Sequence, residues 1–291
     1  MNGILHIEET FSALRARGRA AFMPYFTAGY PDFTASLEII TAAAHSGANL
    51  IEVGIPFSDP LADGPTIQHS TQAALSQGMS VLRCLELVAG LRLRGVHQPL
   101  LLMGYYNPIL AFGLSGFVAA AAGAGADGLI VPDLPLEEAG ELERACGRAG
   151  LALVYLLAPT STPERARRIA GRSQGFLYLV SLTGVTGARE ALPPDLGDFI
   201  ARTREAARLP LAVGFGISRP EQAREVGRLA DGVIVGSALV REIEAALEKG
   251  ADPVQAVSDF VSAFCAALGD RDGTEQGPGF RTNETAISGI P

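Results

Sequence analysis

Residues Gly47 to Gly54 read Gly-Ala-Asn-Leu-Ile-Glu-Val-Gly, and the plan of this stretch recurs along the chain. Small residues, one polar residue and a short apolar, largely β-branched run follow one another again at Gly125–Pro132 and at Leu229–Gly236. A helix that ends in small residues and passes into a buried apolar strand is typical of a parallel sheet. The recurrence therefore predicts βα units in series.

Eight segments of the chain fit this plan as strands. They are Ala21–Thr27, Leu50–Val53, Pro99–Met103, Gly128–Val131, Leu151–Leu156, Phe176–Val180, Leu211–Val213 and Val233–Val235. Eight βα units in 291 residues predict an α/β protein with a single (β/α)8 (TIM) barrel over residues 1–268, and an open doubly wound sheet is the alternative.

Helices are predicted between the strands and at both ends of the barrel. Those between strands are Thr34–Ser46, Ile67–Ser76, Val81–Arg94, Leu136–Ala149, Pro163–Ala170 and Leu239–Leu247. The extra N-terminal helix is expected at Ile7–Arg17 and the extra C-terminal helix at Pro253–Ala267. Residues 269–291 are polar and have little to bury, so a disordered C-terminal tail is expected there.

Composition restricts the classes of function. The net charge of −8 argues against a general binder of nucleic-acid backbones. Three scattered cysteines and four histidines lack metal-ligand spacing, so neither a metal nor another cofactor is expected. The N-terminus lacks the order of a signal peptide, and no apolar run reaches the roughly 18 residues of a membrane span. A cytoplasmic protein without a membrane partner is therefore expected.

Two carboxylates stand close together in the sequence but in different settings. Glu52 alternates with two β-branched neighbours, so it points into the barrel if those neighbours pack against helices. Asp63 follows eleven residues later, in a loop stiffened by three prolines. A buried carboxylate is costly unless it is paired or functional, so the pair predicts acid–base chemistry. The alternative is a structural ion pair for Glu52 and a turn-forming role for Asp63.

Glycine-rich turns follow the last three predicted strands, at Thr183–Gly187, Gly214–Ser218 and Gly236–Ala238. In such barrels the turns after strands seven and eight often hold a phosphate, because glycine lets backbone amides approach the oxygens. A helix N-terminus adds partial positive charge, and Ser237 adds a hydroxyl donor. The alternative is that the glycines only permit the turns.

Strand residues between the carboxylate pair and the glycine-rich turns are candidates for an apolar slot that accepts a flat ring. They are Phe22, Tyr25, Met103, Leu129, Tyr155 and Tyr178. For most of them, taken singly, packing in the barrel core is the preferred interpretation. Tyr178 and Tyr105 are the stronger candidates for substrate contact, because a buried phenol requires a partner.

Four motifs together resemble the α subunit of tryptophan synthase, and they lie at Leu50–Pro65, Gly128–Pro135, Gly184–Gly187 and Gly214–Ser218. The resemblance runs from about Phe11 to Leu268. It implies a carbon–carbon lyase that cleaves indole-3-glycerol phosphate to indole and glyceraldehyde 3-phosphate by a retro-aldol reaction, without a cofactor. It also implies a β-subunit partner in an α2β2 heterotetramer that makes L-tryptophan.

The resemblance assigns roles to individual residues. Glu52 resembles the general acid/base, and Asp63 resembles the carboxylate that faces the indole nitrogen. Tyr25 stands where the family often has phenylalanine, so its hydroxyl needs a partner or a water. The resemblance, together with the glycine turns and the buried phenols, predicts a set of substrate contacts. They are Tyr25, Tyr105, Tyr178, Gly184, Thr186, Gly187, Phe215, Gly216, Gly236 and Ser237.

Three other functions remain open at this point. A phosphate-binding isomerase or ring-closing synthase of the same fold would share the glycine turns but lack the Glu52 and acidic-loop motif. A non-catalytic regulator of the β subunit would not need the carboxylates. A self-sufficient indole-producing lyase would differ only in its turnover without a partner. The proline-rich loops Pro56–Asp59 and Asp133–Pro135 are predicted to face the partner.

Overall fold

Parallel strands form one sheet in the computed structural model, which describes residues 2–180, 192–214 and 216–269. Within these residues the strands are β1 (Ala21–Thr27), β2 (Ile51–Gly54), β3 (Leu100–Met103), β4 (Gly128–Ile130), β5 (Ala152–Val154), β6 (Leu156–Leu157), β7 (Leu177–Val180), β8 (Leu211–Gly214) and β9 (Gly232–Val235). Their order in the sheet is β5-β4-β3-β2-β1-β9-β8-β7-β6.

β5 and β6, which stand at the two ends of this order, are consecutive pieces of one strand. The sheet therefore closes into a barrel with eight strand positions. Only Tyr155 separates β5 from β6, and its carbonyl oxygen accepts a hydrogen bond from the Tyr178 N–H at 3.1 Å. The predicted (β/α)8 barrel is confirmed, and the open sheet is excluded. The single fifth strand predicted at Leu151–Leu156 is interrupted at Tyr155, whose side chain turns outward to hydrogen-bond Glu143.

Helices surround the barrel. In the described part of the chain they are α1 (Gly3–Ala16), α2 (Phe33–His45), α3 (Pro65–Ser76), α4 (Val81–Leu93), α5 (Tyr106–Phe112), α6 (Leu114–Ala124), α7 (Gly140–Ala149), α8 (Pro163–Ala170), α9 (Leu196–Ala206), α10 (Pro220–Leu229), α11 (Ser237–Glu248) and α12 (Pro253–Ala267). Taken singly, none of these helices has the length and apolar character that a membrane crossing needs, although α5 and α6, bent by 95°, meet those criteria as a pair.

Two predicted helix starts lie four residues from the observed ones. The first helix begins at Gly3 rather than Ile7, because the Asn2 side chain accepts hydrogen bonds from the first-turn N–H groups. The helix predicted from Leu136 begins at Gly140. Its expected first-turn residue Glu137 instead lies in a turn and pairs with two arginines of α8. The expected tail at 269–291 lies outside the described residues, apart from Gly269.

Alternation along the strands divides the apolar side chains between two layers. Met23, Leu101 and Phe176 are among those that fill the barrel, whereas Ile51 and Val53 are among those that pack outward against helices. Phe22, Leu129 and Tyr155 also belong to the outer layer. The interpretation of these three residues as core-packing residues is therefore confirmed, and their candidate role in a slot is wrong, because each is one position out of phase with the interior.

Helix α1 covers the N-terminal end of the barrel, which we call the floor. Ile7, Phe11 and Leu14 pack into the barrel interior, and the Phe11 and Phe176 ring centroids are 5.6 Å apart. Because the floor is sealed, the barrel can receive a ligand only at the C-terminal ends of its strands, which we call the mouth.

Candidate active site

Glu52 projects from β2 into the barrel and is fully buried. Among the described residues, neither of its carboxylate oxygens has a hydrogen-bond partner. Burial therefore raises the pKa of Glu52 to about 8. At neutral pH this side chain is mainly a neutral acid, which has a proton to give.

Tyr25 of β1 lies beside Glu52, with which it pairs in register. Its ring leans over Gly54, where an added Cβ would come within 2.1 Å of the phenol oxygen. Tyr178 lies over Gly214 in the same way, at 2.4 Å from such a Cβ. These two glycines therefore make room for two tyrosines that reach across to the neighbouring strand.

Both phenols stay neutral in this setting. Burial, together with the nearby carboxylates Glu52 and Asp63, raises the pKa of Tyr25 and that of Tyr178 well above the ordinary value. Nearby Thr27 offsets part of this rise in the pKa of Tyr25. The Thr27 hydroxyl in turn lies 2.7 Å from the hydroxyl of Ser70 on α3. Thr27 was missed in the sequence, although it lies two positions beyond Tyr25 and therefore on the same face of β1.

Asp63 is half-buried in the loop between β2 and α3. Burial raises the pKa of its carboxyl group to about 6, and nearby Tyr105 opposes that rise. The loop is held by its own backbone, since the Asp63 N–H donates to the Pro60 carbonyl at 3.1 Å. Gln68 of α3 donates to the Asp63 carbonyl at 2.8 Å. At neutral pH Asp63 is therefore mainly ionised while Glu52 is mainly protonated.

Tyr105 stands between β3 and α5, and its hydroxyl is already engaged. It accepts a hydrogen bond from the Ala62 N–H at 2.9 Å. Burial, together with the charge of nearby Asp63, raises the pKa of Tyr105. Its ring packs against Phe57, with the centroids 5.5 Å apart. Sequence reasoning gave Tyr105 a substrate contact, which stays a prediction, and missed its hydrogen bond to the loop that carries Asp63.

The glycine turns after β8 and β9 lie at the same end of the barrel as the carboxyl groups. β8 ends at Gly214 and β9 ends just before Gly236, from which α11 begins at Ser237. Gly216 has a φ of +82°, a conformation that favours glycine. The first N–H groups of a helix lack intrahelical partners, so the start of α11 can receive an anion. The predicted contacts Gly184, Thr186, Gly187 and Phe215 lie outside the described residues.

Tyr25 connects the two parts of this candidate site. A Cβ added at Gly236 would lie 3.4 Å from the Cβ of Tyr25, whereas the phenol oxygen lies at Gly54, two residues beyond Glu52. One ring therefore extends from the glycine turn to the carboxyl groups. Met103 also faces this interior. Among the described residues, no group of three or more His, Cys, Asp or Glu side chains is arranged to hold a metal ion.

The fold and the candidate site are those of a (β/α)8-barrel enzyme with a neutral and an ionised carboxyl group at its mouth. The family model described as tryptophan synthase alpha chain matches residues 11–268. The chain therefore belongs to the tryptophan synthase alpha chain family.

Relatives and solved structures agree with this assignment. The tryptophan synthase alpha chain of Chloroflexus aurantiacus is 55% identical over 238 residues, which cover 82% of this chain and 90% of the relative. The structure of tryptophan synthase subunit alpha from Legionella pneumophila matches with a TM-score of 0.85 and 40% identity, over 92% of this chain and 98% of that one. A Mycobacterium tuberculosis tryptophan synthase structure matches with a TM-score of 0.83 and 37% identity, over 90% and 97% of the two chains.

Proposed function

We propose that Glu52 and Asp63 carry the chemistry of this family in the present chain. The reaction is the retro-aldol cleavage of indole-3-glycerol phosphate to indole and glyceraldehyde 3-phosphate, and the indole is passed to a β subunit for tryptophan synthesis. The observation that carries the proposal is a fully buried carboxyl group without a hydrogen-bond partner, pointing into the mouth of the barrel.

The cleavage requires two proton movements. The ring carbon C3 must gain a proton, and the C3′ hydroxyl of the glycerol chain must lose one. The neutral Glu52 acid gives its proton to C3, and positive charge develops at the ring nitrogen. The resulting Glu52 carboxylate then takes the proton of the C3′ hydroxyl. The C3′–O bond becomes a carbonyl, the C3–C3′ bond breaks, and its electron pair restores the indole ring. Glu52 ends protonated again.

The two carboxyl groups suit these opposite tasks because their environments differ. Complete burial raises the pKa of Glu52 to about 8, so it starts as the acid. The pKa of Asp63 is raised only to about 6, so it is available as an anion. An anion beside the ring nitrogen stabilises the positive charge that forms there. No step of this scheme needs a cofactor.

The phosphate of the substrate is assigned to the glycine turns. The first amides of α11 at Gly236 and Ser237 would bind its oxygens together with Gly216. Gly184, Thr186, Gly187 and Phe215, which lie outside the described residues, stay predicted substrate contacts. The glycerol chain would then lie along the Tyr25 ring, which extends from Gly236 towards Glu52. Tyr178, which lies over Gly214, would border the indole.

The proposed partner is a tryptophan synthase β subunit in an α2β2 assembly, in the cytoplasm. The loops Pro56–Asp59 and Asp133–Pro135 are the surfaces assigned to it, and both follow strand ends at the mouth. Leu61, next to the first loop, is 86% exposed, which supports an apolar contact there. Size-exclusion chromatography with a purified β subunit tests this, and separate elution at micromolar concentrations would contradict it.

Indole release from indole-3-glycerol phosphate tests the activity. The isolated chain should release indole, Asp63→Asn should lower the rate severely, and the β subunit should raise the wild-type rate. Stimulation of a β subunit by a chain that releases no indole itself would favour the non-catalytic regulator instead. Full turnover without the partner, unchanged when the partner is added, would favour the self-sufficient lyase.

A further inference from the structure

Gln222 is a buried polar residue whose side chain reaches back along the chain. It is the third residue of α10 and is 5% exposed. Its amide oxygen accepts the N–H of Ser218 at 2.9 Å and the N–H of Arg219 at 3.1 Å, and the Ser218 hydroxyl lies 3.2 Å from the same oxygen. One side chain therefore holds two consecutive backbone amides in the segment that precedes α10.

That segment, residues 215–219, is the turn after β8. It joins the end of β8 at Gly214 to the start of α10 at Pro220. The described part of the turn is fixed at two places, because the Ile217 side chain is buried in the core and the next two amides are bonded to Gln222. Gly216, with its φ of +82°, comes directly before these fixed residues. Gln222 therefore restricts the shape of the turn to which the phosphate was assigned.

We propose that Gln222 is a positioning residue that presets the turn after β8 to receive the phosphate group of the substrate. This inference rests on the function proposed above, because the assignment of the phosphate to this turn belongs to that function. Gln222 acts through the backbone of Ser218 and Arg219, so the role does not require its side chain to touch the substrate.

A phosphate held by backbone amides explains why such a residue is needed. The amides must point at one place before the ligand arrives, since a turn that samples other shapes binds more weakly in proportion to the time it spends in them. The third residue of a helix can supply the required acceptor, as it does in a capping box. Without that acceptor, the Ser218 and Arg219 amides would be free to turn towards water.

Gln222→Met tests the inference, because it keeps the length of the side chain and removes the acceptor. If the turn then holds the binding shape one tenth of the time, the Kd of glycerol 3-phosphate should rise about tenfold in isothermal titration calorimetry. The Kd of indole should not change, because the proposed ring site lies at the carboxyl groups. The chain contains no tryptophan, so indole fluorescence can report this binding without a background.

Steady-state kinetics give a second signature of the same variant. The KM for indole-3-glycerol phosphate should rise, while kcat stays within about twofold of the wild type, because the lost binding is common to the ground state and the transition state. A purely structural role at the start of α10 would lower stability and leave the phosphate affinity unchanged.

Gln174→Met is the matched control. The Gln174 side-chain oxygen accepts the Leu153 N–H at 3.2 Å, so the same substitution again removes an amide acceptor from a backbone donor. Gln174 lies between α8 and β7, at the floor of the barrel. The Kd of glycerol 3-phosphate should therefore stay within about twofold of the wild-type value.

Amide hydrogen exchange needs no variant. In the free wild type the Ser218 and Arg219 N–H groups should already exchange slowly, because their acceptor belongs to the protein. Glycerol 3-phosphate should slow their exchange no more than that of the Leu100 N–H at the floor, which reports the general stabilisation by a bound ligand. A much larger slowing at Ser218 and Arg219 would show that the ligand sets the turn, and would overturn the inference.

The outcomes separate this inference from the proposed function. A folded Gln222→Met protein with the wild-type Kd for glycerol 3-phosphate, or with an equal loss of affinity for indole, overturns the positioning role even if the wild type releases indole. A wild type that binds no glycerol 3-phosphate overturns it as well. A wild type that releases no indole overturns the proposed function, while the phosphate titration still decides the role of Gln222.

Discussion

Two buried carboxyl groups at opposite ends of the barrel have opposite surroundings. At the floor, Asp127 is 3% exposed and has three partners: His6 at 2.8 Å, Arg92 at 2.5 Å and the Leu100 N–H at 2.8 Å. At the mouth, Glu52 is 0% exposed and has none among the described residues. Burial alone does not distinguish the two groups, whereas their hydrogen bonding does.

This difference in hydrogen bonding separates a residue that stabilises the fold, Asp127, from one that is available for the reaction, Glu52. Each contact of Asp127 offsets the cost of removing the carboxylate from water, and together they join α1, α4 and β3. Glu52 lacks such compensation, so burial favours its neutral form. A substrate with hydrogen-bonding groups would give Glu52 the partners that it lacks among the described residues. The comparison therefore predicts that one residue governs unfolding and the other governs turnover.

The largest expected effect is that of Glu52→Gln on turnover. The amide has nearly the same size but can neither give nor take the proton, so kcat should fall by at least ~10²-fold. Thermal unfolding should show no loss of stability, because no hydrogen bond of the described structure is removed. Steady-state indole release checks the first expectation, and turnover close to that of the wild type would refute the assignment of Glu52.

Asp127→Ala should have the reverse pattern. It leaves the buried Leu100 N–H without an acceptor and removes the ion pair with Arg92, at a cost of about 2–4 kcal/mol of unfolding free energy. Urea titration measures this cost. The kcat of the folded fraction should stay within about twofold of the wild type, because the change lies at the far end of the barrel. A fall in kcat as large as that of Glu52→Gln would contradict the division of roles between Asp127 and Glu52.

The pH dependence of stability should sharpen the same contrast. Burial raises the pKa of Glu52 from its ordinary value of 4.5 to about 8 in the folded protein. Between these two pH values the folded state therefore holds a proton that the unfolded state has lost. Stability therefore falls as the pH rises through this window. From pH 6 to pH 8 the wild type should lose about 2 kcal/mol relative to Glu52→Gln.

Asp63 is present in both proteins of that comparison, so its own titration cancels. Equilibrium urea unfolding at pH 6, 7 and 8 measures the difference. If the two proteins keep a constant difference in stability across these pH values, the pKa of Glu52 is not raised in the folded state.

The smallest expected effect is that of His6→Ala, which removes one of the three partners of Asp127. The loss of one side-chain hydrogen bond should cost about 1 kcal/mol of unfolding free energy. The control is His69→Ala, which breaks an equally short contact, 2.8 Å to Glu244, with a histidine side chain that is 69% exposed. That change should cost less than about 0.5 kcal/mol. Equal losses from both variants would show that the floor network is no stronger than a surface pair.

Much of the barrel was predictable, because strands and helices leave different periods in the sequence. The inward direction of Glu52 followed from alternation with Ile51 and Val53, and both of these pack outward as expected. The same rule, applied one residue further, would have assigned Phe22 and Leu129 to the outer layer, because each adjoins an inward-facing residue on its own strand.

Contacts between distant segments were not predictable in this way. Nothing in the local sequence around Tyr105 indicates that its hydroxyl meets the Ala62 N–H, because that contact depends on how two loops meet above adjacent strands. The partners of Asp127 come from α1, α4 and β3 for the same reason. Periodicity gives the direction of a side chain, and only the closed fold shows what lies opposite it.

Helix α1 has a consequence for the order in which the chain assembles during synthesis. It is made before all the described strands, yet Phe11 packs against Phe176, about 165 residues later. At ~5–20 residues per second, the ribosome delivers that partner roughly 10–30 s after the helix. The apolar stripe of α1 stays uncovered throughout this interval. Chaperones should therefore need to protect nascent chains until the last third of the barrel emerges.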